Sequence, residues 1–558
     1  MKRAAVDIKN LLGPTDEFLT GMNLTYTDGD GNPVTNPTIE DNVNFEMAFD
    51  LPESVREQMQ DGDYYTFTLP DEIKIVQNQS FPLNNANGDT YATAVVNVDG
   101  TVTITFNERV TEESNIHGDF HFSGKFDEAN IPGPGDITIV IPGEEQIPGI
   151  DVTVRPDVAS SVSKEGHFDK TPNPNQVIWN VDVNKDMNHI TNATETENLP
   201  EGLTITGVKV YELQVDFDGN VIPGGEVEIS TSDYMVDADG KVTFANVIDK
   251  PYRIEYTTDI DASVKPGNEG GAVNFTNDVT FDGDEIESIP AEASVTANYK
   301  AGLVKGQPNY HPEDQTFDWV INYNHNEFNI KESQATVHDT ISGNMTLQDA
   351  SVVLKKVTFD SNGNPQEGDT LVLGIDYNLV PAPDGKGFEI VFIGDVDYAV
   401  NIHYTTQVED VIDKDTTYSN SVVDGSGNKD TESGTAKQQG LIKNIENVDY
   451  GSKTLDWVVD INKNNYQMEN WTFTDTLSEG LTWVNLRFSI SDVTTGQPLR
   501  EGIDYTMTYD AVTNQIHAEF IGSFVNTSDT FRINYKTEYD ADVLEQSGET
   551  AFKKSCDV

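Results

Sequence analysis

The sequence predicts an all-β protein: tandem immunoglobulin-like antiparallel β-sandwiches in an elongated array. Three observations predict it. One constellation of residues recurs three times, about every 140 residues, a period too long for a solenoid unit and right for a whole domain used again. Between its landmarks run short stretches of alternating Val, Ile, Thr, Tyr and Phe, broken by turns rich in Gly, Asn and Asp. Helical patterning is confined to a turn or two, as sandwiches require.

Each copy of the constellation has a lysine just after an apolar residue (Lys164, Lys305, Lys443), a tryptophan strand (Trp179, Trp319, Trp457) and an acid shortly before an apolar residue (Glu197, Asp339, Asp475). A terminal strand follows at 275–279, 418–422 and 552–556. Strands ending in Tyr256, Tyr404 and Tyr535 fall in step with these. The division is therefore 1–150 for a first domain, then repeats at 151–295, 296–435 and 436–558, each long enough to bury a core.

Within 1–150 the reading is a short helix near 16–19, then strands at 65–69, 102–106 and 120–124, a loop at 131–136 and a last strand at 137–141. Pro142-Gly143 and Pro148-Gly149 mark a linker to the repeats. The segments 289–292 and 424–428 lie at or near the later joints, and their shortness points to a monomeric rod.

The balance of 95 acids against 34 bases, a formal net charge of −61, argues against nucleic acid and anionic membranes as partners and suits a soluble surface or a basic ligand stretch. Cys556 is the single cysteine, so no intrachain disulfide staples the domains. No apolar run is long enough for a spanning helix, and residues 1–7 show no secretion signal. The chain reads as cytosolic or as a mature piece of a secreted precursor.

Lysine, acid and asparagine together suggest another staple. The lysine lies on a first strand, the acid ends a middle strand, and Asn277 and Asn420 lie on the last strands of their repeats. First and last strands of a sandwich often lie side by side, which brings the three types within reach. Burial lowers the lysine pKa and raises that of the acid until the amine is neutral and nucleophilic. The carboxylic acid then polarises the asparagine amide and carries a proton to departing ammonia. The product is an isopeptide bond, Lys164 to Asn277 with Glu197 assisting, and Lys305 to Asn420 with Asp339 assisting. Closing a loop of over a hundred residues is worth roughly 4–5 kcal/mol by the chain-entropy model. The third site is degenerate, since Lys554 stands where Lys443 and Asp475 require an amide. A second set of acids, Asp182 and Asp460, is matched by Asn322 in copy two, which favours the first set. The competing reading is of solvated lysines and turn asparagines in a diverged repeat.

With these residues in place, the chain resembles Gram-positive cell-wall-anchored adhesins of the collagen-binding (MSCRAMM) type. Residues 62–70, with Gly62-Asp63 before a strand ending in Leu69-Pro70, look like the first adhesin domain of that group. Stretches 179–184, 319–324 and 457–462 look like the second strand of its collagen-binding domain, and Glu201-Gly202-Leu203 and Glu479-Gly480-Leu481 like the turn after its acid. The resemblance implies acid-assisted Lys–Asn bonds on the residues named above. It also implies an extracellular-matrix ligand such as collagen, clasped by the first two domains under a linker at 143–151, and a place on the bacterial surface. The sorting motif, wall-spanning repeats and secretion signal of the group are not read in this sequence. The alternative is a structural spacer or surface-fibre subunit without a host ligand.

Other motifs carry less. The acids of 28–32 suit a hairpin turn better than a calcium loop, which needs a further glutamate. The nine histidines are scattered, so no metal is expected, and no nucleophile, phosphate or cofactor motif appears. The expectation is a binding protein, not an enzyme beyond its own cross-linking, with the three tryptophans as core anchors.

Overall fold

In a computed structural model the protein is described over residues 3–312, 314–484, 487–543 and 555–557. It divides into two compact units, one of Met1–Asp169, Pro174–Val264 and Asn274–Thr296, the other of Lys170–Asn173, Lys265–Val273 and Ala297–Val558.

The first unit opens with a two-sheet sandwich. One sheet orders Pro33–Val34, Leu19–Thr27, Asn42–Asp50, His117–Phe126 and Ile73–Lys74; the other orders Tyr64–Thr68, Thr101–Phe106, Thr90–Val96 and Gln79–Asn84. Alternation drives it: in Asn42–Asp50 every second residue, Val43, Phe45, Met47 and Phe49, is buried. The helix expected near 16–19 does not form. Phe18 and Leu19 are buried in the core, and Leu19 opens a strand.

The stretch 142–149, expected as a linker, is the loop of a hairpin in which Gly135–Ile139 pairs with Ile150–Val154. Ile141 and Ile147 are buried in the first core, and Glu144 accepts from Lys9 and from the Tyr65 hydroxyl, each at 2.6 Å. Proline and glycine mark a loop of either kind; the buried isoleucines on both sides are what make it a hairpin.

Each repeat packs two antiparallel sheets. In repeat one the first sheet orders Ser163–Phe168, Gln176–Val183, Tyr252–Ile260, Leu203–Glu212 and Val227–Glu228. The second orders Tyr234–Val236, Val242–Phe244, Thr194–Asn198, Gly271–Gly283 and Ile286–Tyr299. Repeat two repeats the plan, with Leu303–Lys305, Thr316–Tyr323 and Ala399–Val408 in the first sheet and Thr336–Ile341 beside Thr416–Asp424 in the second. Repeat three matches it with Leu441–Asp449, Thr454–Ile461 and Phe531–Tyr539, and with Thr472–Thr476 beside Ser555–Asp557.

Both expected joints lie inside terminal hairpins. Residues 289–292 belong to the edge strand Ile286–Tyr299, where Pro290 is tolerated, and 424–428 is the turn between Thr416–Asp424 and Lys429–Ala436. Trp179, Trp319 and Trp457 are buried between the sheets. Gly166 is required opposite the first of them, since a Cβ there would lie 2.5 Å from the Trp179 ring.

Candidate cross-linking sites

In repeats one and two the two sheets bring the three residue types together across the core rather than along one edge. Lysine stands on the first strand of the tryptophan sheet, while acid and asparagine stand on neighbouring strands of the opposite sheet. The expectation of first and last strands side by side is therefore replaced by a face-to-face arrangement. Register fixes the rest: Glu197 pairs with Val279 and Asp339 with Val422. Asn277 and Asn420 each stand two residues before that partner, so they point to the same face as it does.

In repeat one the Lys164 amine lies 2.6 and 2.7 Å from the two Glu197 oxygens, with both side chains wholly out of solvent. The Asn277 amide donates to Glu197, and its Oδ1 is buried with no donor. The amine also sits 5.5 Å from the Trp179 ring centre. Burial pushes the Lys164 amine below its ordinary range, against the opposing pull of Glu197.

Repeat two is wired differently. Lys305 lies 2.6 Å from Asp339 and also donates to the Tyr404 hydroxyl, which donates to Asp339 at 2.8 Å and accepts from Asn420 at 2.8 Å. The Lys305 and Asp339 side chains are again fully buried, and Asn420 Oδ1 has no donor. Burial lowers the Lys305 pKa and raises that of Asp339, each the direction that favours a neutral amine beside a neutral acid.

In repeat three Lys443 pairs with Asp475, which also accepts from Tyr535. Asp475 pairs in register with Cys556, so the position matching Asn277 and Asn420 is 554. Lys554 itself lies outside the described residues. The alternative acids are occupied elsewhere: Asp182 binds Arg253 at 2.7 and 2.9 Å, and Asp460 binds Arg532 at 2.7 and 3.2 Å.

The structure adds partners that the sequence reading did not assign. Tyr256, Tyr404 and Tyr535 all point into the sites, and their constant place in the repeat was the available signal. Glu195 is fully buried two residues before Glu197, where repeats two and three have Val337 and Phe473. Burial, then the Glu197 charge, pushes its carboxyl up to about 9.

Elsewhere, Asp28 caps its turn by accepting from Asp30 N, Asn32 N and the Asn32 amide, a turn repeated at Asp216, Asp360 and Asp424. Among the described residues Glu46, Asp119 and His121 gather on an exposed sheet face. A cleft of about 730 Å³ in the first unit is lined from the first domain by Asp136 and from repeat one by Arg155, His189 and Gln214.

Two stretches, 159–292 and 297–434, match the collagen binding domain family, and 36–136 matches a bacterial Ig domain. No curated protein matches the chain. Solved structures similar to it include the collagen adhesin CNA from S. aureus, 17% identical over 53% of this chain and 96% of that one, TM-score 0.20. The Enterococcus faecalis MSCRAMM ACE is 18% identical over 51% and 96%, TM-score 0.19. The collagen binding domain of Erysipelothrix rhusiopathiae surface protein RspB is 14% identical over 53% and 99%, TM-score 0.20. The chain thus carries two domains of the collagen binding family behind a bacterial Ig domain, all of them Ig-like β-sandwiches.

Proposed function

We propose that the chain is the binding and load-bearing part of a Gram-positive surface adhesin. It takes a collagen-like extracellular-matrix protein through the first domain and repeat one, and it acts as a monomer of four domains at 1–150, 151–295, 296–435 and 436–558. Repeats one and two weld themselves with Lys164–Asn277 and Lys305–Asn420 bonds. Family membership of 159–292 and 297–434 supports the ligand class, and the cleft beside Arg155 and Gln214 is the space an extended chain would occupy.

One observation carries the cross-link: in both repeats a fully buried lysine–acid pair lies beside the asparagine. The asparagine amide donates to the acid in repeat one, and in repeat two to the Tyr404 hydroxyl, which touches both members of the pair. A proton passes from the lysine ammonium to the carboxylate, leaving a free amine. Nζ bonds to the asparagine Cγ while the acid O–H protonates the carbonyl oxygen, which otherwise has no donor. The carboxylate then takes a proton from Nζ and hands it to the leaving nitrogen, the Cγ–N bond breaks, ammonia departs, and the carbonyl oxygen returns its proton to the carboxylate. The acid ends neutral. An attached charge would otherwise be buried alone, which is strongly disfavoured.

The ligand is tested by saturable binding of the full chain to immobilised triple-helical collagen and to other matrix proteins. Binding that is lost when Gln214→Trp fills the cleft supports the adhesin. Binding to none of them favours the spacer.

A further inference from the structure

Glu195 has no counterpart in the other two repeats, and the site chemistry above does not use it. Its side chain meets the Tyr256 hydroxyl through one oxygen and lies within the field of the Glu197 carboxyl and, more weakly, the Lys164 amine. The Tyr256 hydroxyl has one hydrogen and two acceptors in reach, Glu195 Oε2 and, at 2.9 Å, the Gly240 carbonyl, which can only accept. A protonated Glu195 lets both contacts be satisfied, its O–H donating to Tyr256 and the tyrosine donating to Gly240, in keeping with the raised carboxyl. Its other oxygen, Oε1, is buried with no hydrogen-bond partner. The one group beside it that gains a hydrogen during the reaction is Glu197.

Resting on the cross-link reading of this site, we propose that Glu195 is a positioning residue that accepts the O–H of Glu197 once Glu197 has taken the proton of Lys164. The Lys164 N–H bond breaks, the Glu197 O–H bond forms, and that hydrogen points to Glu195 Oε1. A directed chain results, from Glu197 to Glu195, to Tyr256, to the Gly240 carbonyl, in which each bond strengthens the next. It holds Glu197 protonated and Lys164 as the free amine. Repeats two and three lack the relay because their tyrosines touch the acid directly.

The test follows the full chain made by cell-free translation. Samples taken over time are digested, and the Lys164–Asn277 peptide is counted against the Lys305–Asn420 peptide of the same molecules. Glu195→Val, which removes the acceptor, is expected to slow the first bond at least about tenfold and leave the second unchanged. Glu195→Gln keeps a neutral acceptor and a donor to Tyr256, and is expected to match the unchanged chain at neutral pH. The ionisable groups facing position 195 are Glu197 on its own strand and Lys164 and Tyr256 on the opposite sheet. Above pH about 9, where Glu195 itself ionises, the unchanged chain should fall behind Glu195→Gln, a divergence that packing alone does not produce. Equal rates for Glu195→Val, or a Gln-to-Glu ratio that stays flat through pH 9, overturn the proposal. A missing Lys164–Asn277 peptide in the unchanged chain instead overturns the cross-link reading, and this role falls with it.

Discussion

Asn277 meets the Glu197 carboxylate because it stands two residues before Val279, the cross-strand partner of Glu197. Asn420 stands in the same relation to Val422 and Asp339, and position 554 to Cys556 and Asp475. The chemistry of each site thus hangs on one residue in one register. Repeat three already pairs Lys443 with Asp475 beside Tyr535. Lys554→Asn is expected to add a third bond, read as one further ammonia lost in the intact mass.

Removing an acid should abolish one bond at a time. Glu197→Ala leaves the Lys164 ammonium buried without its partner and Asn277 unactivated. Peptide mapping is expected to show the Lys305–Asn420 bond alone, and repeat one should lose about 3–5 kcal/mol from the broken buried pair in addition to its cross-link. Asp339→Ala should do the converse.

The pH dependence of repeat one runs opposite to that of an ordinary salt-bridged acid. Glu195 is raised from 4.5 to about 9 in the folded chain, so between these values the folded state binds the extra proton. Stability contributed by this group is full below about 4.5, falls as pH rises toward about 9, and is flat above, with a slope of up to about 1.4 kcal/mol per pH unit. In a chain carrying Asn277→Ala, which cannot form the bond, the urea midpoint of repeat one should decline across this window. Adding Glu195→Gln should remove the decline.

Gly166 lets Trp179 lie against the lysine strand. Gly166→Ala puts a methyl 2.5 Å from the indole ring, and overpacking of this kind costs about 1–3 kcal/mol. Thermal unfolding should show a lowered midpoint for repeat one alone.

Much of this was legible in the sequence because repetition aligns residues that face the same environment. Lys164, Lys305 and Lys443 kept step with their acids, and the alternating strands followed from side-chain burial with period two. What local pattern did not carry was pairing between distant strands. Pro142-Gly143 and Pro148-Gly149 read equally well as linker or hairpin, and only the burial of Ile141 and Ile147 decides between them. The placing of Asn277 opposite Lys164 across the core, rather than beside it, depends on which sheet each strand joins. Glu195 was visible as an acid in phase with Glu197, but on a half-exposed strand the same alternation is ordinary; its burial beside Tyr256 gives it meaning.

The account stands most directly on the intact mass of the full chain. Each condensation removes one ammonia, so the account predicts a mass about 34 Da below the sum of the residues, about 17 Da for each of two bonds. A mass equal to that sum would contradict it.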